Sequence, residues 1–435
     1  MSFEIPFSHI AEIIMGQSPK GEEVNNEGIG LPLLNGPTEF TDRYPAPVQH
    51  TAYAKKISLP GDILFCVRGS TTGRMNYSDQ KYCIGRGLAA IRGRNGYPTP
   101  YVKAVLDTYL PKLLAAATGS TFPNVSKDLI NNIPVSVLPV ENACNISKLI
   151  ELQEEKVFTN NQINQTLEQM AQALFKSWFV NFEPVKAKMA VLEAGGSQED
   201  AMLAAMTAIS GKDDDALVVF EREHPEQYAE LKATAELFPS AMQDSELGNI
   251  PVTWELGKLQ DLLVLQRGFD LPSSARKDGE FPLIAASGPN GTHNVAMAKA
   301  PGVITGRSGV LGKVYLTLED YWPLNTTLWV KEFKRATPCY AYELLRLLDM
   351  KAFNAGSAVP SLNRNHIHSL SYPLPPMALV NLFESSALLL HQRAHVNLKH
   401  SQSLALLRDT LLPKLLSGEI TLPEAEQAVS EAENV

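Results

Sequence analysis

The sequence predicts a mixed α/β (α+β) protein in which one unit occurs twice. Two globular domains would be separated by a pair of long antiparallel coiled-coil helices, with a pseudo-two-fold relation between the halves. Three observations predict this. Residues 119–128 recur in chemistry as 356–365, 237 positions on, and 68–74 recur as 307–313, 239 positions on. Each copy is followed by a long segment whose apolar residues recur at helical spacing. Within each copy, strand-like apolar runs are broken by Gly, Pro and Asn around one helix-like stretch. A repeat this long suits a duplicated domain and not a solenoid.

The elements follow in order. Residues 1–142 form the first domain, with strand-like runs at 63–67 and 88–92 and a helix over 101–117. Residues 143–183 read as the first long helix. From Ile163 its apolar residues (Leu167, Met170, Leu174, Trp178) fall 4, 3, 4 and 4 apart, close to a heptad seam. Asn160, Asn161 and Asn164 lie among them and are polar groups able to fix register in a helix pair. The segment ends in the aromatic run Phe175, Trp178, Phe179 and Phe182, which is either core or a partner-binding surface. Residues 184–247 read as an acidic helical connector: 184–250 carry 5 basic and 13 acidic side chains, with Asp213, Asp214 and Asp215 in a row. A flexible acidic linker explains that run more economically than a metal site. Residues 248–374 form the second domain, with a strand at 328–333 and a helix over 339–353. Residues 375–418 read as the second long helix, with a stop near Pro413, and 419–435 as a C-terminal tail. Packing the two long helices on each other buries both apolar stripes; each packing on its own domain is the alternative.

Composition bounds the function. The chain has 435 residues, 44% hydrophobic and 20% charged, which supports sizeable cores. No apolar run reaches the ~18 residues of a membrane span, and residues 1–6 lack the pattern of a signal peptide. Four dispersed cysteines suit a reducing, cytoplasmic setting. The net charge of −9 hides an uneven distribution: residues 1–140 hold 13 basic against 11 acidic side chains, and 251–375 hold 13 against 10. Local basic patches attract polyanions even on an acidic chain. The Gly-rich, Arg-bearing stretches are either tight turns or phosphate and base contacts.

No P-loop, dinucleotide-binding glycine motif, amino-methyltransferase motif or nuclease motif is present, and no Ser-His-Asp set can be nominated. His391, His395 and His400 lack the further ligand a zinc site needs. No catalytic, cofactor or metal residue is therefore nominated. The chain reads as a recognition or scaffold protein.

Residues 174–182 closing the first helix, 407–420 closing the second, and 248–254 opening the second domain carry a family resemblance. Residues 60–64 and 119–127 add to it. Over residues 1–420 the chain resembles the specificity subunits of Type I restriction-modification systems. It departs in lacking a clear Ile-Pro-x-x-Trp opening and in having Gly302-Val303-Ile304 where Gly-Asp-Ile-Leu is usual. The resemblance implies two target-recognition domains, each reading half of a bipartite double-stranded DNA site, with the paired helices setting the gap. It implies two methyltransferase subunits docked on the helices, restriction subunits joining them, and no catalysis by this chain. It also implies that S-adenosylmethionine, ATP and Mg belong to partner subunits and that this chain binds no cofactor. On side-chain chemistry and repeat matching, the DNA-binding candidates are Arg68, Thr71, Arg74, Arg86, Asn124, Ser126 and Lys127 in the first copy. In the second they are Arg307, Lys313, Asn325, Ser361, Asn363 and Arg364. Phe175, Trp178, Phe179, Phe182, Leu411 and Leu415 are the partner-binding candidates. A stand-alone DNA-modifying enzyme and a coiled-coil scaffold without DNA are the rival readings.

Overall fold

The structure is a computed structural model that describes residues 3–117, 123–353 and 361–433. The recurring segments at 119–122 and 356–360 lie outside the described residues. The chain divides into two compact units: residues 1–163 with 397–435, and residues 164–396. These bounds cut through both long helices. Each helix contributes one half to either unit.

Helices are labelled in chain order. The first unit holds α1 (Thr99–Ala115), α2 (Lys127–Asn132) and the first part of α3 (Val140–Phe179). The connector supplies α4 (Glu183–Glu193), α5 (Gln198–Ser210), α6 (Asp214–Glu223) and α7 (Pro225–Glu236). The second domain adds α8 (Leu259–Leu262), α9 (Pro338–Leu347) and α10 (Arg364–His368). The chain continues through α11 (Met377–Ser417) and α12 (Leu422–Glu433).

The duplication extends to sheet topology. In the first unit Ala11–Met15, Leu88–Gly93, Ile63–Cys66 and Met75–Tyr77 lie side by side in that order, all antiparallel. In the second, Leu263–Arg267, Thr327–Phe333, Gly302–Gly306 and Val314–Thr317 repeat the order. A smaller sheet accompanies each. Leu31–Leu34 pairs parallel with Tyr82–Ile84 in the first unit, and Phe281–Ala285 pairs parallel with Trp322–Pro323 in the second. Strands 63–66 and 88–91 are buried on both faces, which is why they read as unbroken apolar runs. Pro98 and Pro100 fix the start of α1, where a missing N–H costs nothing.

Within each unit the long helices run antiparallel. In the first, Ile146 and Ile150 of α3 share a core with Leu412, Leu415 and Leu416 of α11. Asn160 is buried, and its Nδ2 donates to Ser401 Oγ at 3.1 Å and to the Asn397 carbonyl at 3.4 Å. In the second, Asn164 Nδ2 donates to the Ala394 carbonyl at 3.0 Å. These satisfied buried amides suit a register role, since a slip would strand them without partners.

Three of these readings gain detail. Helix α11 passes through Pro413 and ends at Ser417, one residue short of the expected bound at 418. Burial of Leu415 and Leu416 in the core outweighs the single hydrogen bond that proline removes. The tail is helical: α12 buries Ala425 in the first unit's core. The connector is no loose linker. Ala205, Met206, Leu217 and Ala235 form a small core of their own, and buried Lys188 donates to the carbonyls of Ala235 (2.7 Å) and Phe238 (2.6 Å). Burial lowers the Lys188 pKa. Asp213 of the acidic run caps α6, its Oδ1 accepting from Ala216 N at 2.9 Å. Among the described residues no helix is long and apolar enough to cross a membrane.

Candidate nucleic-acid interface

The nominated residues gather at one end of the large sheet in each unit. In the first, Val67 N donates to the Gly87 carbonyl (3.0 Å) and Val125 N to the Val67 carbonyl (2.8 Å). These bonds lay Arg68, Arg86 and Asn124 on three adjacent backbone segments, with Arg68 bridged directly to Asn124. All three are exposed. Thr71 and Arg74 occupy the neighbouring turn, closed by Arg74 N to the Thr71 carbonyl at 3.1 Å. Ser126 caps α2, its Oγ accepting from Leu129 N at 3.2 Å, and Lys127 opens that helix on the surface.

The second unit repeats the arrangement with different side chains. Arg307 N donates to the Thr326 carbonyl (2.8 Å) and Leu362 N to the Arg307 carbonyl (2.9 Å), while Ser308 bridges Ser361. Arg307 Nη1 reaches the Asn325 carbonyl at 3.5 Å. The Lys313 carbonyl accepts from Gly306 N at 3.2 Å, closing the turn that exposes its side chain. Asn363 caps α10, its Oδ1 accepting from Asn365 N at 3.0 Å, and Arg364 is exposed as the first residue of that helix. Ser126 and Asn363 thus have a local structural role first.

Each cluster includes residues that sequence reasoning missed. In the first unit Ser18 Oγ accepts from Arg86 N at 3.1 Å and donates to Asn35 Oδ1 at 3.2 Å, and Asn35 Nδ2 donates to Gln49 Oε1 at 3.4 Å. In the second, Arg267 Nη2 pairs with both oxygens of Asp270, at 3.1 and 3.2 Å, and Asp270 accepts from Asn325 Nδ2. The signal was a glycine two residues upstream. A Cβ on Gly16 would lie 2.1 Å from the Gly85 carbonyl oxygen, and one on Gly268 would lie 2.3 Å from that of Leu324. Only glycine permits these approaches.

The aromatic run belongs to the core. Phe175, Trp178, Phe179 and Phe182 are at most 8% exposed and pack with Tyr340, Trp254 and Phe383. Leu415 is buried in the first unit's core and Leu411 half-buried against it. The five buried side chains stabilise their units and are not available to a partner, which corrects that assignment for them, while Leu411 keeps part of its surface exposed. Exposed apolar side chains lie elsewhere on the long helices. Leu152 in the first unit and Leu389 in the second are 70% and 67% exposed and stand 237 positions apart, the spacing of the repeat.

A cleft of about 540 Å³ in the first unit is lined by Arg43, Tyr77, Lys103, Glu154, Phe158 and Arg408, among others. Lys103 bridges Asp107 (3.0 Å) and Glu154 (3.1 Å) there. Burial alone would lower the Lys103 pKa, but the two carboxylates raise it. The second unit holds a cluster at the matching place: Tyr342 donates to Glu168 at 2.6 Å, and Arg346 pairs with Glu168 (3.0 Å) and Glu343 (3.4 Å). Both clusters tie a domain helix, α1 or α9, to α3 within its unit.

Residues 5–169 match the family described as the Type I restriction modification DNA specificity domain. The chain is 28% identical over 408 residues to the Type I restriction enzyme HindI specificity subunit of Haemophilus influenzae, covering 84% of this chain and 88% of that one. It is 22% identical over 384 residues to the MjaIX specificity subunit of Methanocaldococcus jannaschii, covering 85% and 80%. The crystal structure of the S subunit of a Type I system from M. genitalium aligns with a TM-score of 0.54 at 14% identity, over 95% of this chain and 96% of that one. At that identity the likeness is one of fold.

Proposed function

We propose that this chain is a specificity subunit of a Type I restriction-modification system, the non-catalytic DNA-reading member of its complex, a reading supported by the matched domain at residues 5–169 and by relatives that cover most of the chain. Each unit reads one half of a bipartite double-stranded target. The observation that carries the reading is the exposed Arg- and Asn-bearing cluster found twice, on the same backbone framework, with different side chains in each copy. One framework with two sets of side chains suits two different half-sites. The paired helices set the gap between the half-sites. Two methyltransferase subunits dock on them and methylate adenine with S-adenosylmethionine. Where restriction subunits join, ATP and Mg belong to them, and the complex works in the cytoplasm.

The gap is testable. Inserting four residues in α3 after Ile163 and four in α11 after Val396 adds about 6 Å to each helix. At ~3.4 Å per base pair, the methylated motif is expected to gain one or two unspecified pairs with both half-sites unchanged. An unchanged gap in an active complex contradicts the ruler.

Docking is tested separately. Leu152→Asp and Leu389→Asp each place a charge where an exposed leucine invites an apolar partner surface. Each is expected to weaken binding of a methyltransferase subunit at least ~30-fold, the scale of a hot-spot residue. Titration calorimetry that finds both affinities unchanged would remove these leucines from the interface.

A further inference from the structure

We propose that Arg86 and Asn325 occupy the same base-reading position in the two units, with Arg86 reading guanine and Asn325 reading adenine. The inference rests on the DNA-reading function proposed above and assigns bases to it.

The two positions are equivalent in backbone. Each lies in the turn that leaves the small sheet and enters the large one, after Tyr82–Ile84 or Trp322–Pro323 and before Leu88–Gly93 or Thr327–Phe333. Matching bonds fix each turn. Gly16 N donates to the Leu88 carbonyl (2.9 Å) and Gln17 N to that of Ile84 (2.8 Å). Gly268 N donates to the Thr327 carbonyl (3.0 Å) and Phe269 N to that of Pro323 (2.8 Å). The residue two past each glycine then holds the reader: Ser18 Oγ takes the Arg86 amide, and Asp270 takes the Asn325 side chain. The other nominated residues adjoin through Gly87 and Thr326.

The side chains differ in what they present. Arg86 is exposed between Gly85 and Gly87, and its guanidinium has no hydrogen bond or ion pair among the described residues. It offers the paired donors that match guanine O6 and N7. Asn325 is constrained. Asp270 takes one Nδ2 hydrogen, which sets the orientation of the amide. The second Nδ2 hydrogen and Oδ1 remain, the donor and acceptor that match adenine N7 and N6. Asp270 is itself held by both its oxygens on Arg267, so it acts as a positioning residue. Its carboxylate also disfavours a phosphate beside Asn325, since a phosphate brings only acceptors and negative charge.

The test is methylation of a randomised DNA library by the complete complex carrying each variant. Arg86→Ala is expected to relax one guanine position in one half-site, and Asn325→Ala one adenine position in the other, each by roughly 5- to 150-fold in preference. Arg86→Asn is expected to move the preference from guanine to adenine at that same position. Asp270→Ala should relax the Asn325 position and leave the other half-site intact, an effect a merely structural role would not confine to one base. A uniform loss of rate with an unchanged motif, and a salt slope shallower by about one, would mark a phosphate contact and overturn the assignment. So would a motif that no variant alters. A wild-type complex that methylates no split target would instead overturn the DNA-reading function beneath it.

Discussion

Phe175→Ala is expected to destabilise the second unit by about 3–5 kcal/mol, the range for deleting a buried phenylalanine side chain. Phe175 is fully buried where α3, α9 and α11 meet. Its ring lies 5.1 Å from that of Tyr340, 5.2 Å from Phe179 and 5.5 Å from Phe383. Neighbours this large and interlocked cannot collapse into the space, so the cavity cost adds to the lost transfer energy. Leu152→Ala is the control: its side chain is mostly in water, and a change within ~0.5 kcal/mol is expected. Urea unfolding of the full chain measures both. A Phe175→Ala variant that loses less than about 1 kcal/mol would contradict the core assignment.

Glu343 and His391 are expected to drive the second unit's stability in opposite directions with pH. Burial pushes the Glu343 pKa up to about 7, against the opposing pull of Arg346, while Glu168 pushes it further up. The unfolded chain therefore ionises this group first, and stability falls as pH rises from about 4.5 to about 7, by about 3 kcal/mol. Burial pulls the His391 pKa down to about 4, with Glu168 opposing and Arg346 assisting. The unfolded chain protonates this group first, so stability falls as pH drops from about 6.5 to about 4. Allowing for its partial exposure, that is about 2 kcal/mol. The two slopes largely cancel in the unmodified chain. Single variants separate them: Glu343→Gln should be acid-labile below pH 6.5, and His391→Gln should be more stable at pH 4.5 than at pH 8. Urea midpoints across pH 4–8 that are the same for both variants would contradict the account.

Much of this architecture is legible in the sequence. The helix expected over 101–117 spans Thr99–Ala115, and the runs at 63–67 and 88–92 are strands Ile63–Cys66 and Leu88–Gly93. Both readings rest on local apolar pattern and on proline or glycine at the ends, which chain chemistry alone decides. The long helices were legible for the same reason. The aromatic run was not, because periodicity shows that a helix face is apolar and not what covers it. That covering comes from Tyr340, Trp254 and Phe383, far away in sequence. The grouping of Arg68, Arg86 and Asn124 was legible through the repeat, since each has a counterpart at a nearly constant offset. Ser18 and Asp270 were hidden because the repeat loses register between them and the turns they hold. Gly16 and Gly85 are 69 positions apart, whereas Gly268 and Leu324 are 56 apart. Backbone bonds, and not spacing, bring these residues to equivalent places.

On the proposed function, this chain is expected to give its complex a split DNA target. Single-molecule methylation sequencing of the native host's DNA, with the gene intact and deleted, measures this. Deletion is expected to remove one adenine-methylated motif made of two specific half-sites around a fixed gap, and to leave other methylation in place. A methylome that is the same with and without the gene would contradict it.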